Sequence, residues 1–457
     1  MLPKNLKYQN KVESASAHAY ISNIQPQNGM GPYAGGQTII FNIPTRNNLV
    51  LIGAESSLKF SLSVTNGNAA SNYTRLDRAG AHGVISRLRL WAGSNLIEDV
   101  DTYGMCVANL ISLQKSNGAS KGKYNINSGM RYDDVVVAAT NQAFSCPAGE
   151  RLSVNPLIEF VAAAGVAANA VTTARTYTIN LLSILGSLGT QYIPLFAMTS
   201  APLRLELVLC STAQQFCVCD TVVPASFSVT NVEYIASFID LADSSMAIIN
   251  QSLGGQPLQY VIPSFRNYVY NAAYVNGGVN QVTAPIPAKF SSLKHIIGTM
   301  RRSSAGAIGM FPLASGSCGL TQYSVRFGSK IVPAKSPSTF AEYFSELSKC
   351  VASLSDLTHS PNMNVPSYGV LSPVANTEAA ALTASSVSAN FAIGIDMETY
   401  ANADKDSIFS GYNTLTDDIY WNLTFDGTQA AGLVRYDFFA LYDSLLICEN
   451  GTAIVKY

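Results

Sequence analysis

The sequence predicts an all-β protein with a few short helices and two domains in tandem. Apolar and polar residues alternate with a period of two along many short stretches, which is the period of a half-buried strand. A motif of an alternating run with an arginine, a Gly-Ser turn and further apolar residues occurs twice, at 84–100 and at 323–333. The two turn glycines, Gly93 and Gly328, are separated by about half of the 457-residue chain. A solenoid repeat has a period of about 20–50 residues, so the spacing indicates two copies of a whole domain.

Strands are predicted in both halves of the chain. They fall at 37–43, 57–64, 84–91, 176–184, 203–209 and 227–235 in the first half, and at 264–274, 291–300, 323–328, 391–398, 420–425 and 434–457 in the second. The last stretch is predicted to be a hairpin with Asn450-Gly451 at its tip, because both residue types tolerate positive φ. Many short strands with few helices favour a sandwich or a jelly roll over a parallel α/β fold.

Three helices are predicted, and two of them follow the Gly-Ser turns. The stretch 101–115 places apolar residues on one face, and so does 338–355, which Ser338 can cap after a proline. A third helix is predicted at 238–252, where the two halves join. Long insertions rich in Gly, Ala, Ser and Asn follow the first two helices, at about 116–172 and 357–388. They are predicted to be long loops, and these two are the candidates for outward-facing loops.

The composition is weakly charged for a folded protein. Charged residues make up 12% and hydrophobic residues 48% of the chain, whereas about 25% charged residues is typical. Two explanations stay open: a surface buried against other subunits, where charges are depleted, or a β-rich extracellular protein with a neutral, hydroxyl-rich face. The net charge of −1 argues against direct sequence-specific binding of nucleic acid, which requires many Lys and Arg residues to neutralise phosphates.

The sequence indicates neither export nor a membrane span. Its first residues, Met-Leu-Pro-Lys-Asn-Leu-Lys-Tyr-Gln-Asn, contain no apolar core of a signal peptide. No stretch of about 18 apolar residues occurs that would form a transmembrane helix. The eight cysteines are scattered, so we predict reduced and mostly buried thiols.

No catalytic, cofactor-binding or metal-binding residues are predicted. Ser120 lies in a chance match to G-x-S-x-G, because a polar loop surrounds it instead of a strand and a helix. Cys210, Cys217 and Cys219 lack the spacing of a zinc site. The four histidines, His18, His82, His295 and His359, are far apart in sequence, and His295 is predicted to be a buried core or interface residue.

Two acidic clusters are further candidates for a site, in this case for calcium. They are Glu98-Asp99-Val-Asp101 and Asp404-Lys-Asp406. Neither has the spacing of an EF-hand loop. Turn and helix-cap roles are far more common for such residues.

The chain resembles the double jelly-roll major capsid proteins of icosahedral DNA viruses, of the type found in polinton-like viruses and virophages. The resemblance is carried by Phe290-Ser-Ser-Leu-Lys-His-Ile-Ile-Gly-Thr-Met-Arg, by the block from Tyr323 to the aromatic helix, and by the closing hairpin Tyr-Asp-Ser-Leu-Leu-Ile-Cys-Glu-Asn-Gly-Thr-Ala-Ile-Val. It implies two tandem eight-stranded jelly rolls with long inter-strand loops. The implied division is an N-terminal arm at 1–35, a first jelly roll at 36–237, a linker helix at 238–252 and a second jelly roll at 253–457.

The same resemblance implies a structural role in a virion that is assembled inside a host cell. Members form homotrimers of pseudo-hexagonal outline that contact neighbouring capsomers, penton proteins and minor capsid proteins. They often enclose an internal membrane. The resemblance implies no enzymatic activity and no cofactor.

Two other classes of function are weighed against the capsid protein. The first is a secreted or surface β-sandwich that binds carbohydrate or mediates adhesion, with tyrosines as stacking platforms; it should carry an export signal. The second is a jelly-roll hydrolase with two carboxylates about 5–10 Å apart, for which the acidic residues are too few and scattered to nominate a pair. Assays of glycan binding and hydrolysis would separate both classes from a shell protein.

Overall fold

The computed structural model describes most of the chain. The described residues are 17–65, 73–116, 119–130, 159–161, 174–189, 191–219, 226–275, 277–278, 280–302, 312–351, 354, 361, 363, 368, 390–399, 410–427 and 432–457. Most of the two predicted insertions, 116–172 and 357–388, lies outside these residues, as do residues 1–16 of the predicted arm.

The first half of the chain forms two main antiparallel sheets. Its strands are β1 Ala17–Ile24, β2 Tyr33–Ala34, β3 Thr38–Asn42, β4 Leu49–Thr65, β5 Tyr73–Leu76, β6 Ile85–Ala92, β7 Asn95–Asp101, β8 Glu159–Val161, β9 Arg175–Ile179, β10 Leu203–Leu209, β11 Cys217–Cys219 and β12 Ser226–Leu241. One sheet has the order β1-β12-β4-β9, with β2 also paired to β12, and the other has the order β3-β10-β6-β7. A small third sheet has the order β11-β5-β8.

The second half repeats this plan. Its strands are β13 Leu258–Tyr274, β14 Asn280–Ile286, β15 Leu293–Arg302, β16 Leu320–Phe327, β17 Lys330–Val332, β18 Ile393–Asp396, β19 Ile419–Phe425, β20 Gly432–Glu449 and β21 Thr452–Lys456. One sheet has the order β13-β20-β15-β18, with β21 also paired to β20, and the other has the order β14-β19-β16-β17.

Both halves therefore have the strand connectivity of a jelly roll. If the eight principal strands of each half are counted along the chain, the first, eighth, third and sixth form one sheet, and the second, seventh, fourth and fifth form the other. Two sheets that alternate in this way enclose one hydrophobic core between their inner faces. The predicted all-β fold of two tandem eight-stranded jelly rolls is confirmed.

The two repeated Gly-Ser turns occupy the same place in each jelly roll. Gly93 joins β6 to β7 and Gly328 joins β16 to β17, with φ angles of 58° and 52°. A residue with a side chain would be strained at these positive φ angles, which explains why both positions are glycine. The predicted closing hairpin is also confirmed, since Asn450 and Gly451 at its tip have φ angles of 53° and 76°.

The helices differ from their predicted bounds. They are α1 Tyr103–Gln114, α2 Asn125–Ser128, α3 Asp243–Leu253 and α4 Phe340–Lys349. The predicted start of the third helix at residue 238 is wrong, because residues up to Leu241 continue β12. The predicted cap of the helix at 338–355, which is α4, is also wrong. Thr339, not Ser338, accepts from the backbone N–H of Glu342 and completes a capping box.

Aromatic residues pack against one another in both cores. In the first, Phe41 packs near Tyr234 with ring centroids 6.0 Å apart. In the second, Trp421 stacks on Phe438 at 5.0 Å. Helix α1 is buried almost all round, whereas α3 between the two halves buries no residue. The helices therefore differ in role: α1 completes the first core, and α3 is a connecting segment on the surface.

The division of the chain at residues 35, 237 and 252 remains a proposal. Two observations bear on where its boundaries lie. Residues 17–24, inside the proposed arm, form β1 and pair with β12 from Ala17↔Leu241 to Ile24↔Tyr234. The connection between the two jelly rolls is α3 with its flanking residues.

Among the described residues, no helix is long and apolar enough to cross a membrane.

Candidate functional site

The junction between the two jelly rolls is the most elaborate polar feature of the described residues. Strand β13 of the second jelly roll packs against β7 of the first. Thr102 follows β7 directly, and its Oγ1 accepts hydrogen bonds from Asn267 Nδ2 at 2.9 Å and from Arg435 Nη2 at 3.0 Å. One hydroxyl of the first jelly roll is thus held by two side chains of the second.

Asp437 is the charged centre of this junction. Its side chain is fully buried and contacts Arg301 at 3.1 Å and Arg435 at 2.8 Å. Burial lowers the pKa of Arg301, and the Asp437 carboxylate opposes that shift. A buried carboxylate between two guanidinium groups stabilises the fold only while all three charges stay together, because each alone would be costly to desolvate.

Arg78 makes a second connection between the jelly rolls. This buried side chain of the first jelly roll donates from Nε to the carbonyl oxygen of Leu313 at 2.9 Å, and from Nη1 to Asn390 Oδ1. Its neighbour Asp77 accepts from the backbone N–H of Leu313 at 2.7 Å. The two residues therefore bind the same peptide segment of the second jelly roll through both its donor and its acceptor.

The C-terminal hairpin makes a third connection. The carbonyl oxygen of Gly451 accepts from the backbone N–H groups of Ser200 at 2.9 Å and Ala201 at 3.1 Å. Tyr457, the last residue, donates its hydroxyl to the carbonyl oxygen of Leu96 at 3.3 Å. Because three separate segments cross the junction, the described parts of the two jelly rolls form one body.

Glu98 is a buried carboxyl group on β7. Its oxygens accept hydrogen bonds from the Ser183 hydroxyl and from the backbone N–H of Ile184 at 3.1 Å. Burial raises the pKa of Glu98 to about 7, although these hydrogen bonds partly offset the shift. This group holds a loop of the first jelly roll in place, and near neutral pH it is divided between its two protonation states.

The acidic cluster that contains Glu98 is dispersed among separate partners. Asp99 forms two hydrogen bonds of 2.7 Å with Arg87, and Asp101 accepts from the backbone N–H of Thr102 at 2.8 Å. Among the residues that the structure describes, no group of three His, Cys, Asp or Glu side chains could hold a metal ion. The other cluster, at Asp404 and Asp406, lies outside them.

The histidines are placed apart. His82 is buried with Nδ1 3.3 Å from the Tyr103 hydroxyl, and His295 is buried beside Phe265 with ring centroids 6.4 Å apart. Burial lowers the pKa of both imidazoles to about 3. His295 is thus the buried residue that the sequence predicts. His18 is exposed on β1, and His359 lies outside the described residues.

The serine and cysteine candidates are not brought together. Ser120 begins a helical turn, Ser120–Tyr124, with no strand before it. Cys210 donates from its thiol to the carbonyl oxygen of Gly83 at 3.1 Å. Six described cysteines are buried: Cys106, Cys210, Cys217, Cys318, Cys350 and Cys448. Burial raises the thiol pKa of Cys210 to about 12, which makes it a poor nucleophile at neutral pH.

Solved structures share the arrangement of two jelly rolls over nearly the whole chain. The mavirus major capsid protein aligns with a TM-score of 0.58 at 11% identity, covering 100% of this chain and 93% of that one. The Faustovirus major capsid protein aligns with a TM-score of 0.56 at 9% identity, covering 97% and 92%. The VP54 protein of PBCV-1, fitted into a reconstruction of the virophage Sputnik, aligns with a TM-score of 0.59 at 11% identity, covering 99% and 100%.

The chain has the double jelly-roll fold of these proteins. No protein-family profile and no curated protein sequence matches it. At such low identity the likeness concerns the fold, which agrees with the strand order of both halves.

Sequence reasoning missed the residues that join the two jelly rolls. Thr102 and Asn267 are 165 positions apart, and Arg78 and Asn390 are 312 apart. No local pattern signals such pairs. The one available signal was that Asp77-Arg78 and Arg301-Arg302 are adjacent charged residues in a chain with few charges.

Proposed function

We propose that this chain is the major structural protein of an icosahedral virus capsid, and that three copies form a capsomer of pseudo-hexagonal outline. One observation carries the proposal: two jelly rolls of identical strand order stand side by side, joined by a buried polar junction. Three such chains present six similar domains around an axis. Six similar sides allow one protein to tile a hexagonal lattice.

The solved structures support a role in self-association. Those of mavirus and Faustovirus are described as major capsid proteins, and another is described as a quasi-atomic model of the PBCV-1 virus capsid. Capsid proteins assemble with copies of themselves. We infer that this chain does the same and resides in a virion.

The proposed role is structural and not enzymatic. Glu98 and Asp99, two of the polar groups that the sequence nominated, are engaged in local hydrogen bonds. Penton proteins, minor capsid proteins and neighbouring capsomers are proposed partners. An internal membrane beneath the shell and assembly inside the host cell also remain parts of the proposal.

The weakly charged composition fits a protein that buries much of its surface in a shell. With 12% charged residues, the chain has the depletion of charge that is typical of interface cores. Large apolar side chains also remain exposed in the single chain, among them Ile21, Tyr192 and Ile331. Of the two explanations that the composition leaves open, we therefore favour burial against other copies.

Negative-stain electron microscopy of the purified full-length chain tests this proposal. We expect particles of hexagonal outline with three-fold symmetry. Monodisperse single-chain particles that bind immobilised glycans would overturn it in favour of the adhesive protein. Glycan hydrolysis would overturn it in favour of the hydrolase.

A further inference from the structure

The two jelly rolls can be aligned residue by residue through one shared contact. Leu51 on β4 exchanges two backbone hydrogen bonds of 2.9 Å with Ile193, and Leu293 on β15 exchanges two of 2.9 and 2.8 Å with Tyr412. On the neighbouring strand, Phe238 pairs with Leu51, and Tyr442 pairs with Leu293. Leu51 and Leu293 are therefore equivalent positions.

This alignment makes Asn23 equivalent to Asn267. Tyr20 on β1 pairs with Phe238, and Ser264 on β13 pairs with Tyr442, so residues three further along also correspond. By the same register Glu233 corresponds to Asp437. Asn23 Nδ2 lies 3.5 Å from Glu233 Oε2, and Asn267 Nδ2 lies 3.4 Å from Asp437 Oδ1. The same amide-carboxylate pair thus occurs at the same place in both jelly rolls.

Among the described residues, the second of these pairs is covered and the first is not. Asn267 binds Thr102 of the first jelly roll, whereas Asn23 is exposed and Glu233 contacts Lys59 at 3.3 Å on the protein surface. The neighbouring apolar positions differ in the same way. Phe265 is 3% exposed, and its equivalent Ile21 on β1 is 71% exposed.

The fifth principal strand of each jelly roll, β7 or β17, shows the complementary difference. Leu96 on β7 and Ile331 on β17 each stand three residues after the turn glycine of their jelly roll. Leu96 lies in the junction, where its carbonyl oxygen accepts from Tyr457. Ile331 is 57% exposed on the edge strand of its sheet. Within the described residues, β7 and β13 therefore cover each other. Their equivalents, β17 and β1, have no such partner strand in the described part of the single chain.

We propose that β1, with the Asn23–Glu233–Lys59 cluster of one copy, binds β17 of a second copy, as β13 binds β7 within one chain. This inference rests on the proposed function and specifies the surfaces through which copies join. The proposed partner is a second copy, because the surfaces at β1 and β17 are equivalent to those at β13 and β7, which already bind each other inside the chain.

Such a contact is heterologous, since a different surface of each copy takes part. A heterologous contact generates a ring when its rotation closes and an open filament when it does not. In a ring of three, each copy would bury both Ile21 and Ile331. Burying exposed apolar side chains of this size favours association.

Charge substitutions provide the first test. We expect Ile21→Glu and Ile331→Glu, made separately in the full-length chain, each to weaken association by about tenfold or more, because a carboxylate would replace an apolar anchor. Ile248→Glu is the matched control, since Ile248 is 67% exposed on α3, outside both surfaces. Light scattering across a dilution series reports the association. Normal association of both variants would overturn the inference.

Cross-linking provides a second test that does not depend on folding of a charged variant. With a bis-maleimide reagent, the double variant I21C/I331C should give covalent dimers and trimers, and no larger ladder. The single variants I21C and I331C, and the unmodified chain, should stay uncross-linked. Dimers from I21C alone would indicate a symmetric contact and overturn the inference.

The two tests separate this inference from the proposed function. If the unmodified chain is trimeric, but the I21C/I331C variant does not cross-link and the charge variants associate normally, the inference is overturned, whereas the capsomer stands and its interface lies elsewhere. If a second segment of the same chain covers Ile21, the I21C/I331C variant stays monomeric in the cross-linking assay, which also overturns the inference. If the unmodified chain is monomeric at every concentration, the proposed function itself fails.

Discussion

Asn267 and Thr102 join the two jelly rolls: the side-chain amide of Asn267 donates a hydrogen bond of 2.9 Å to the Thr102 hydroxyl. The residues are 165 positions apart in the chain, so the bond fixes the relative position of two separately closed β-domains. Arg435 shares the same acceptor. The capsomer proposed above depends on this relative position, because it sets the angle between neighbouring sides.

Removing the shared hydroxyl should weaken the junction. We expect Thr102→Val to destabilise the protein by about 1 kcal/mol, since Asn267 and Arg435 lose one of their two acceptors and keep only Asp437, while the side-chain shape is kept. Thr102→Ser retains the hydroxyl and is the control. Thermal unfolding followed by circular dichroism measures the difference. Equal midpoints for the valine and serine variants would contradict the role of this hydroxyl.

Neutralising the buried carboxylate should cost more. Asp437→Asn leaves Arg301 and Arg435 without their shared counter-charge, so we expect a loss of about 3–5 kcal/mol or a failure to accumulate soluble protein. Asp418→Asn is the matched control, because Asp418 is exposed and its pair with Lys289 should contribute about 0–1 kcal/mol. The free energy of unfolding in urea, measured for both variants and the unmodified chain, gives the two losses. Similar values for both variants would show that the buried pair is dispensable.

Glu98 should make stability depend on pH. Its pKa in the folded protein is about 7, above the ordinary value of 4.5. Between these values the folded state holds a proton that the unfolded state releases. Stability should therefore fall as pH rises from about 4.5 to 7, by on the order of 3 kcal/mol.

A comparison of the unmodified chain with Glu98→Gln isolates this effect. His82 and His295, whose pKa values are lowered to about 3, act in the opposite direction, because unfolding lets them bind protons below about pH 6.5. The histidines contribute equally to both proteins, so the difference in unfolding free energy between pH 5 and pH 8 reports Glu98. An identical pH profile for the two proteins would contradict the assignment.

The cap of α4 gives a smaller effect. We expect Thr339→Ala to destabilise the protein by about 1 kcal/mol, because the first turn of the helix loses the acceptor for the Glu342 N–H. Ser338→Ala should cost less, since that hydroxyl only donates to the Glu342 carboxylate at 3.2 Å. Chemical denaturation of both variants gives the ranking. A larger loss for Ser338→Ala would restore the cap that the sequence alone predicts.

Local patterns in the sequence are enough to predict an all-β chain of two tandem domains, and the resemblance to capsid proteins implies that both are jelly rolls. The alternation in 203–209 matches β10, and the repeated Gly-Ser turns mark the β6–β7 and β16–β17 hairpins. These features depend on neighbouring residues, where strand period and turn conformation act. Strand β1 was missed because it is an edge strand whose outer residues, such as Ile21, face solvent in the single chain.

The junction could not be predicted in the same way. Glu98 was read with Asp99 and Asp101 as one acidic cluster, but it is buried under Ser183 and Ile184, more than 80 positions away. Burial of a charge is decided by which segments the fold brings together. A single sequence carries that information only through the whole fold.

The native mass of the purified chain, measured by size exclusion with light scattering over a dilution series, tests the central claim most directly. The account predicts a stable species of three times 48.7 kDa. A species of 48.7 kDa at every concentration would contradict it, because the exposed surfaces at β1 and β17 would then have no second copy to cover them.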